Sequence, residues 1–285
     1  MVSGEESAYV VLTQDDAERK RLNDAYHYYK ESVRRGKFIY DESLVLPEDA
    51  AVLDVGTGSG AWISDMVQIV PSSVVIHGID ISPAFFPHIQ SSANQNIRLS
   101  VHSCTSLPED WSNSFDLVNQ SLLIAAITQD EWRQNLRETY RVLKPGGQVQ
   151  LFDPDFESLS SHPGTAYEKT RLILESLWAK HSLMFDFKAQ IACILMEIGF
   201  KDILIEVKEG PIGKQKGDAG LEGADIQCRG LRSMQPIILR YSGFGIVNNS
   251  EEFESLLDTI QREWDEGTSW LDYVVVCARR PSTAV

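Results

Sequence analysis

No apolar run in the chain approaches the roughly 18 residues that a bilayer-spanning helix requires. The opening MVSGEESAYV has neither the basic flank nor the apolar stretch of a secretory signal, so a cytoplasmic location without a membrane partner is expected. Cysteine is scarce: Cys104, Cys193, Cys228 and Cys277 lie far apart with no CxxC pair. That spacing fits neither a zinc site nor a disulfide framework, and free thiols in a reducing compartment follow. Basic residues are in deficit, 26 against 41 acidic ones, for a formal charge of −15 and a pI near 4.8. Such a surface repels phosphate backbones and anionic lipid, and the pairs Arg34-Arg35 and Arg279-Arg280 make no basic stripe. Nucleic acid is not expected as a partner; a small molecule is. The six histidines join no His/Asp/Glu cluster of ligand spacing, with Asp153, Asp155 and His162 the nearest to an oxygen-rich set, so no metal is expected.

What is present is a chain of 285 residues, 43% hydrophobic, long enough to bury a large core. Thr13-Gln-Asp-Asp reads as a capping box, after which Leu22, Tyr26, Tyr29 and Val33 recur at helical spacing up to Gly36. Beyond Pro47 the texture changes to short apolar runs separated by helical stretches, the pattern of βαβ units and a parallel sheet. Seven strands are expected, near Ala51–Val55, Val74–Ile79, Ile97–His102, Phe115–Asn119, Gln148–Asp153, Asp202–Val207 and Tyr273–Ala278. A cap at Thr128 opens a helix with the stripe Trp132, Leu136, Tyr140 and Leu143, stopped by Lys144-Pro-Gly-Gly147. Glu209–Gln235 is dense in glycine without clean periodicity, whereas Asn249 to Gly267 reads as a capped helix with Phe253, Leu257, Ile260 and Trp264 inward. The expected organisation is an N-terminal helical lid (1–46), an α/β core (47–208 and 271–285) and a cap inserted between the last two strands (209–270).

The sharpest constellation is AVLDVGTGSG, in which a buried strand ends at Asp54-Val55 and turns through Gly56, Gly58 and Gly60 into a helix. Glycines let such a turn close and let backbone N–H groups approach a ligand. At the end of the next strand, about 20 residues on, Asp80 is placed to accept both hydroxyls of an adenosine ribose. Gly56-x-Gly58-x-x-Ala61 also satisfies a dinucleotide fingerprint, which keeps a nicotinamide-dependent oxidoreductase in view. Asp54 speaks against it, because a charge there disfavours a pyrophosphate but suits an ammonium and a sulfonium.

With VLDVGTGSGAW, GIDIS, SFDLV, YRVLKPGG before the fifth strand and the GF that opens the sixth, the chain resembles the class I S-adenosylmethionine-dependent methyltransferases over nearly its whole length. RLNDAYHYYKES, GTGSGAW and NQSLLIAAIT are similar to the fungal small-molecule methyltransferases of secondary metabolism. The resemblance implies a Rossmann-like, mostly parallel sheet of seven strands whose last strand forms an antiparallel hairpin with the sixth. It implies S-adenosyl-L-methionine as cofactor, with Gly56, Gly58 and Gly60 under its methionine part, Asp54 organising the ammonium group and Asp80 holding the ribose. Where the family usually offers an acid to the adenine amino group this chain has Ser103, so adenine contacts are expected from Ser103, Cys104, Thr105 or backbone groups. Asn119, Gln120 and Ser121 fall on the rim where the family places the methyl group, and Ser121 stands where relatives often carry an arginine.

Methyl transfer is an in-line displacement at an activated carbon, so alignment and exclusion of water are the enzyme's main tasks. An oxygen nucleophile is expected first, with nitrogen and sulfur open, and His162 or His181 could serve it as a base of near-neutral pKa. His27 and Tyr28 are expected at the acceptor pocket's rim. Two alternatives stand beside this reading: a cofactor-binding regulator or non-methylating catalyst on the same scaffold, and the oxidoreductase.

Overall fold

Strands form where β-branched runs alternate with turn residues, and all seven expected strands are present in a computed structural model that describes residues 16–87, 96–161, 165–267 and 269–282. They are β1 (Ala51–Val55), β2 (Val75–Asp80), β3 (Ile97–Val101), β4 (Phe115–Ser121), β5 (Leu143–Pro154), β6 (Lys201–Ile212) and β7 (Ser269–Arg279). One sheet holds them in the order β3-β2-β1-β4-β5-β7-β6. The first five run parallel, while β7 lies antiparallel between β5 and β6. Register aligns Asp54 of β1 with Asn119 of β4, and Asn119 with Gln150 of β5, so three polar side chains cross the sheet in a row.

The helices are α1 (Asp16–Tyr28), α2 (Ala61–Ile69), α3 (Gln129–Val142), α4 (Thr165–Lys180), α5 (Phe187–Ile198), α6 (Gly217–Arg240) and α7 (Ser250–Glu266). Trp62, Ile63 and Met66 of α2 pack with Val52, Ile76 and Leu117 of the sheet. Trp132 and Leu136 of α3 join Phe187, Ile191 and Leu195 of α5 over Val118, Val149 and Val276. A further core gathers α1, α4, α6 and α7 around Phe152 and Tyr273, whose rings stack 5.3 Å apart. The capping box at Thr128 and Glu131 is formed, and Asn249 caps α7, with Phe253, Leu257, Ile260 and Trp264 buried as expected.

The structure differs from the sequence reading in four places. Helix α3 stops at Val142, so Leu143 and the Lys144-Pro-Gly-Gly147 run belong to β5 instead of ending the helix. The hairpin is longer: β6 reaches Ile212 and β7 begins at Ser269, because alternate residues such as Ile212 and Leu271 feed the core at its far end. The glycine-dense stretch is mostly helix, α6, in which Gly220 and Gly223 lie against the backbone of Gly213 and Pro211. The missing side chains permit a helix-to-strand approach that larger residues would block, so glycine here marks packing rather than a loop. Finally, α1 runs directly into a π-helical turn, Tyr29–Val33, and is buried on two sides rather than along one stripe.

Candidate active site

The loop after β1 carries positive φ at Gly56 (+70°), Gly58 (+49°) and Gly60 (+71°), the left-handed region that side chains disfavour. A methyl group at Gly56 would meet Leu123 at 2.6 Å, whereas one at Gly58 would point into open space. That space is a cavity at the carboxyl ends of β1, β2 and β4, where open α/β sheets bind ligands. Its walls include Asp54, Asp80, Ser103, Cys104, Asn119 and Ser121.

Both acids at the strand ends are nearly inaccessible. Asp54 is 4% exposed, and burial pushes its carboxyl up to about 6, although the Thr57 hydroxyl and the Asn119 amide favour the charged form. The Asn119 Nδ2 donates to Asp54 Oδ1 at 2.7 Å, and its Oδ1 accepts from Gln150 Nε2 at 2.8 Å. Asn119 is therefore a positioning residue, with both ends of its amide committed. Asp80 is 7% exposed and shifted upward by burial, against hydrogen bonds donated by the backbone of Ser82 and Gly58. The Gly58 bond, 3.0 Å long, ties the glycine loop to the end of β2. Arg34, 4% exposed, lies between the rings of Tyr26 and Phe152, each 5.0 Å away, and its field also favours charged Asp54. It makes no ion pair with a carboxylate among the described residues; its Nη1 donates to the Tyr40 hydroxyl at 3.1 Å.

Other expected site residues lie elsewhere. Gln120 faces away from the cavity, its amide held by Asn135 and Thr139 of α3, because adjacent strand residues point to opposite faces. Gly60 caps the start of α2 against Pro87 rather than lining the cavity. Tyr28 is buried toward α6, where its hydroxyl donates to the Pro211 carbonyl at 2.7 Å, and His27 is exposed. The face of α1 that lines the cavity is instead Glu18, Leu22 and Tyr26, one turn apart, since Tyr28 and Tyr29 are drawn into the aromatic cluster with Tyr273. His181 follows α4 with its ring 5.6 Å from that of Tyr241, away from the cavity, and His162 lies outside the described residues. Asp153 is wholly buried and its carboxyl pushed well above the usual range by that burial; its Oδ1 accepts from Ile124 N at 2.9 Å, holding the turn after β4.

Sequence reasoning also missed residues that the cavity recruits: Thr57, Phe85, His102, Leu123 and Glu131. The one legible signal was the position of His102 directly after β3, level with Asp80, whose carbonyl accepts its N–H at 3.1 Å. The site fits S-adenosylmethionine on its own chemistry. Buried acids suit an ammonium and a ribose diol, Gly58 leaves room beside the backbone, and the buried Ser121 hydroxyl on the wall has no hydrogen-bond partner among the described residues. Among the described residues no three potential metal-ligating side chains cluster, and no helix is long and apolar enough to cross a membrane.

Comparison with known proteins agrees. Residues 52–147 match a family model described as a methyltransferase domain. The N-methyltransferase sirN of Leptosphaeria maculans is 28% identical, covering 97% of this chain and 96% of its own length. The N-methyltransferase gliN of Aspergillus fumigatus is 29% identical, covering 97% and 98%. Among solved structures, a geranyl diphosphate C-methyltransferase from Streptomyces coelicolor, bound to Mg2+, geranyl diphosphate and S-adenosylhomocysteine, superposes with a TM-score of 0.52 at 12% identity, over 93% of this chain and 84% of that one. The [4+2]-cyclase SpnF gives 0.51 at 18% identity over 92% and 81%, so the fold alone does not fix the reaction. Strand order, glycine loop and sequence relatives together make the chain a class I S-adenosylmethionine-dependent methyltransferase. Within that class it resembles the fungal enzymes of secondary metabolism.

Proposed function

We propose that the chain methylates a nitrogen atom of a small, uncharged organic metabolite in the cytoplasm, without a metal, and that α1 is the lid of the acceptor pocket. The observation that carries this reading is the continuity of one cavity from the buried acids Asp54 and Asp80 to an apolar wall of Leu22, Tyr26, Leu122 and Ala125. An acceptor bound against that wall is desolvated, which favours a neutral molecule over a charged one. Nitrogen is preferred to the oxygen expected from sequence because sirN and gliN, similar over the whole chain, are named N-methyltransferases.

When bound, S-adenosylmethionine supplies a methyl carbon that its sulfonium already activates. The chain's own part is to hold and orient: Asp54 faces the ammonium, Asp80 accepts from the ribose hydroxyls, and Asn119 fixes Asp54. Ser121, with its free hydroxyl, is placed to orient the acceptor. An uncharged nitrogen brings its own lone pair, so attack needs no base, and its surplus proton leaves to water afterwards. The histidine that the cavity does recruit among the described residues, His102, is tied to the end of β2 by its N–H on the Asp80 carbonyl, where this reading puts the ribose. The lid role is supported by Glu18, Leu22 and Tyr26, which α1 contributes to the cavity, where closure excludes water.

Incubation with isotopically labelled methyl donor and a small-molecule extract, read by mass spectrometry, tests the reading. Label should appear on nitrogen of a small product. Label found only on oxygen, or only on protein, would overturn it.

A further inference from the structure

We propose that Glu131, part of the N-terminal cap of α3, selects the purine of the cofactor by accepting a hydrogen bond from its 6-amino group. This rests on reading the cavity as the S-adenosylmethionine site. With the amino-acid end at Asp54 and the ribose at Asp80, the base falls beyond Asp80, against the 103–105 turn, Ile127 and Glu131. An exocyclic amine brings N–H donors, and a desolvated donor left unpaired loses about 1–3 kcal/mol.

Most of the polar groups on that wall are already engaged. The Ser103 and Thr105 hydroxyls face each other at 2.8 Å, and Ser103 Oγ also takes the Thr105 N–H at 3.3 Å. Burial raises the Cys104 thiol to about 12, which keeps it neutral and a poor acceptor. Glu131 is the carboxylate on this part of the wall.

Helix geometry aims it there. Two turns further along α3, Glu138 Oε2 accepts from the Leu107 N–H at 2.8 Å, and Arg141 donates to the Leu107 carbonyl at 3.0 Å. Residues two turns apart share a face, so Glu131 looks toward the start of the same loop, where the Cys104 thiol feels its charge. Its two oxygens are used differently. Oε2 accepts both the Thr128 N–H, at 2.7 Å, and the Thr128 hydroxyl, at 2.8 Å, whereas Oε1 has no hydrogen bond among the described residues. The cap locks the carboxylate and leaves one oxygen for a ligand.

Glu131→Gln tests this, because glutamine serves equally in a capping box and keeps the start of α3. Calorimetry would compare S-adenosylhomocysteine with S-inosylhomocysteine, which carries a 6-oxo group in place of the amine. The parent should prefer the adenosyl ligand by roughly tenfold or more. In the variant the preference should collapse toward parity, since a glutamine amide donates to a 6-oxo group as readily as it accepts from an amine. Each preference is a ratio within one protein, so a general loss of stability cancels; should Glu131→Gln fail to fold, Glu131→Asp, which withdraws the free oxygen, gives the same comparison. A variant that keeps the parent's full preference overturns the proposal. A parent that binds neither ligand overturns the reading of the cavity instead.

Discussion

At Asp54 burial and ligand binding pull in opposite directions. Without ligand the folded protein holds this proton to about pH 6, while the unfolded chain releases it near the ordinary value of about 4. The folded state thus binds the extra proton between these limits, and stability falls as pH rises through that window, by about 3 kcal/mol at most from this group. Asp54→Asn should flatten that decline and raise the melting temperature at pH 7; Asp153, shifted in the same direction, keeps the curve from becoming level. Cofactor affinity should move the other way. An ammonium needs the charged carboxylate, so affinity should rise up to about tenfold per unit below pH 6 and level off above it. Calorimetric titration with S-adenosylhomocysteine from pH 5 to pH 7.5 checks both the slope and its loss in Asp54→Asn. Asp80→Ala, which removes the proposed ribose contacts and frees the Gly58 amide, should lose about 2–4 kcal/mol of affinity and still melt cooperatively; unchanged affinity would remove Asp80 from the site.

Among the elements, α6 separates two meanings of glycine. A methyl group at Gly223 would lie 2.1 Å from the Pro211 carbonyl and 2.6 Å from the Tyr28 hydroxyl, whereas at Gly230 its nearest neighbour is an Arg21 nitrogen at 4.0 Å. Gly230→Ala should therefore stabilise the helix by about 1 kcal/mol, the usual preference for alanine, while Gly223→Ala should destabilise by about 1–3 kcal/mol through overpacking. Thermal melts of the two variants decide it. The same contrast explains what the sequence made legible. Periodicity located all seven strands and the capped helices α3 and α7, because there the apolar pattern and the caps agree. It failed at α6, where glycine serves a close approach to β6 that lies far away in sequence, and at α1, where two faces are buried at once. At the site, Asp54, Asp80 and the glycine loop were legible because local spacing defines them. Tyr26 and Glu131 were not, since tertiary packing alone brings α1 and the start of α3 to the cavity.

For the molecule as a whole, α1 joins the two halves that flank the cavity. On the side of the sheet core, Tyr26 donates to Asp65 of α2 at 2.8 Å and Lys30 approaches the same carboxylate at 3.0 Å. On the other side, Arg229 of α6 meets Asp24 at 2.7 Å, and Tyr28 binds the Pro211 carbonyl. The ion pairs are partly exposed and each contributes little, so α1 is held mainly by its buried residues, Ala25 and Tyr28. On the lid reading proposed above, α1 should be stabilised by the ligand it covers. Saturating S-adenosylhomocysteine, at about a hundred times its Kd, should raise the apparent stability by about 2.7 kcal/mol, and NADH should not. Hydrogen exchange on the intact chain then locates the effect. Amides of α1 and of the glycine loop should gain protection on binding, whereas those of α5 and of the edge strand β6, remote from the cavity, should exchange as before. Protection confined to the glycine loop, with α1 unchanged, would show that the helix is a docked stabilising element and that the cavity closes without it.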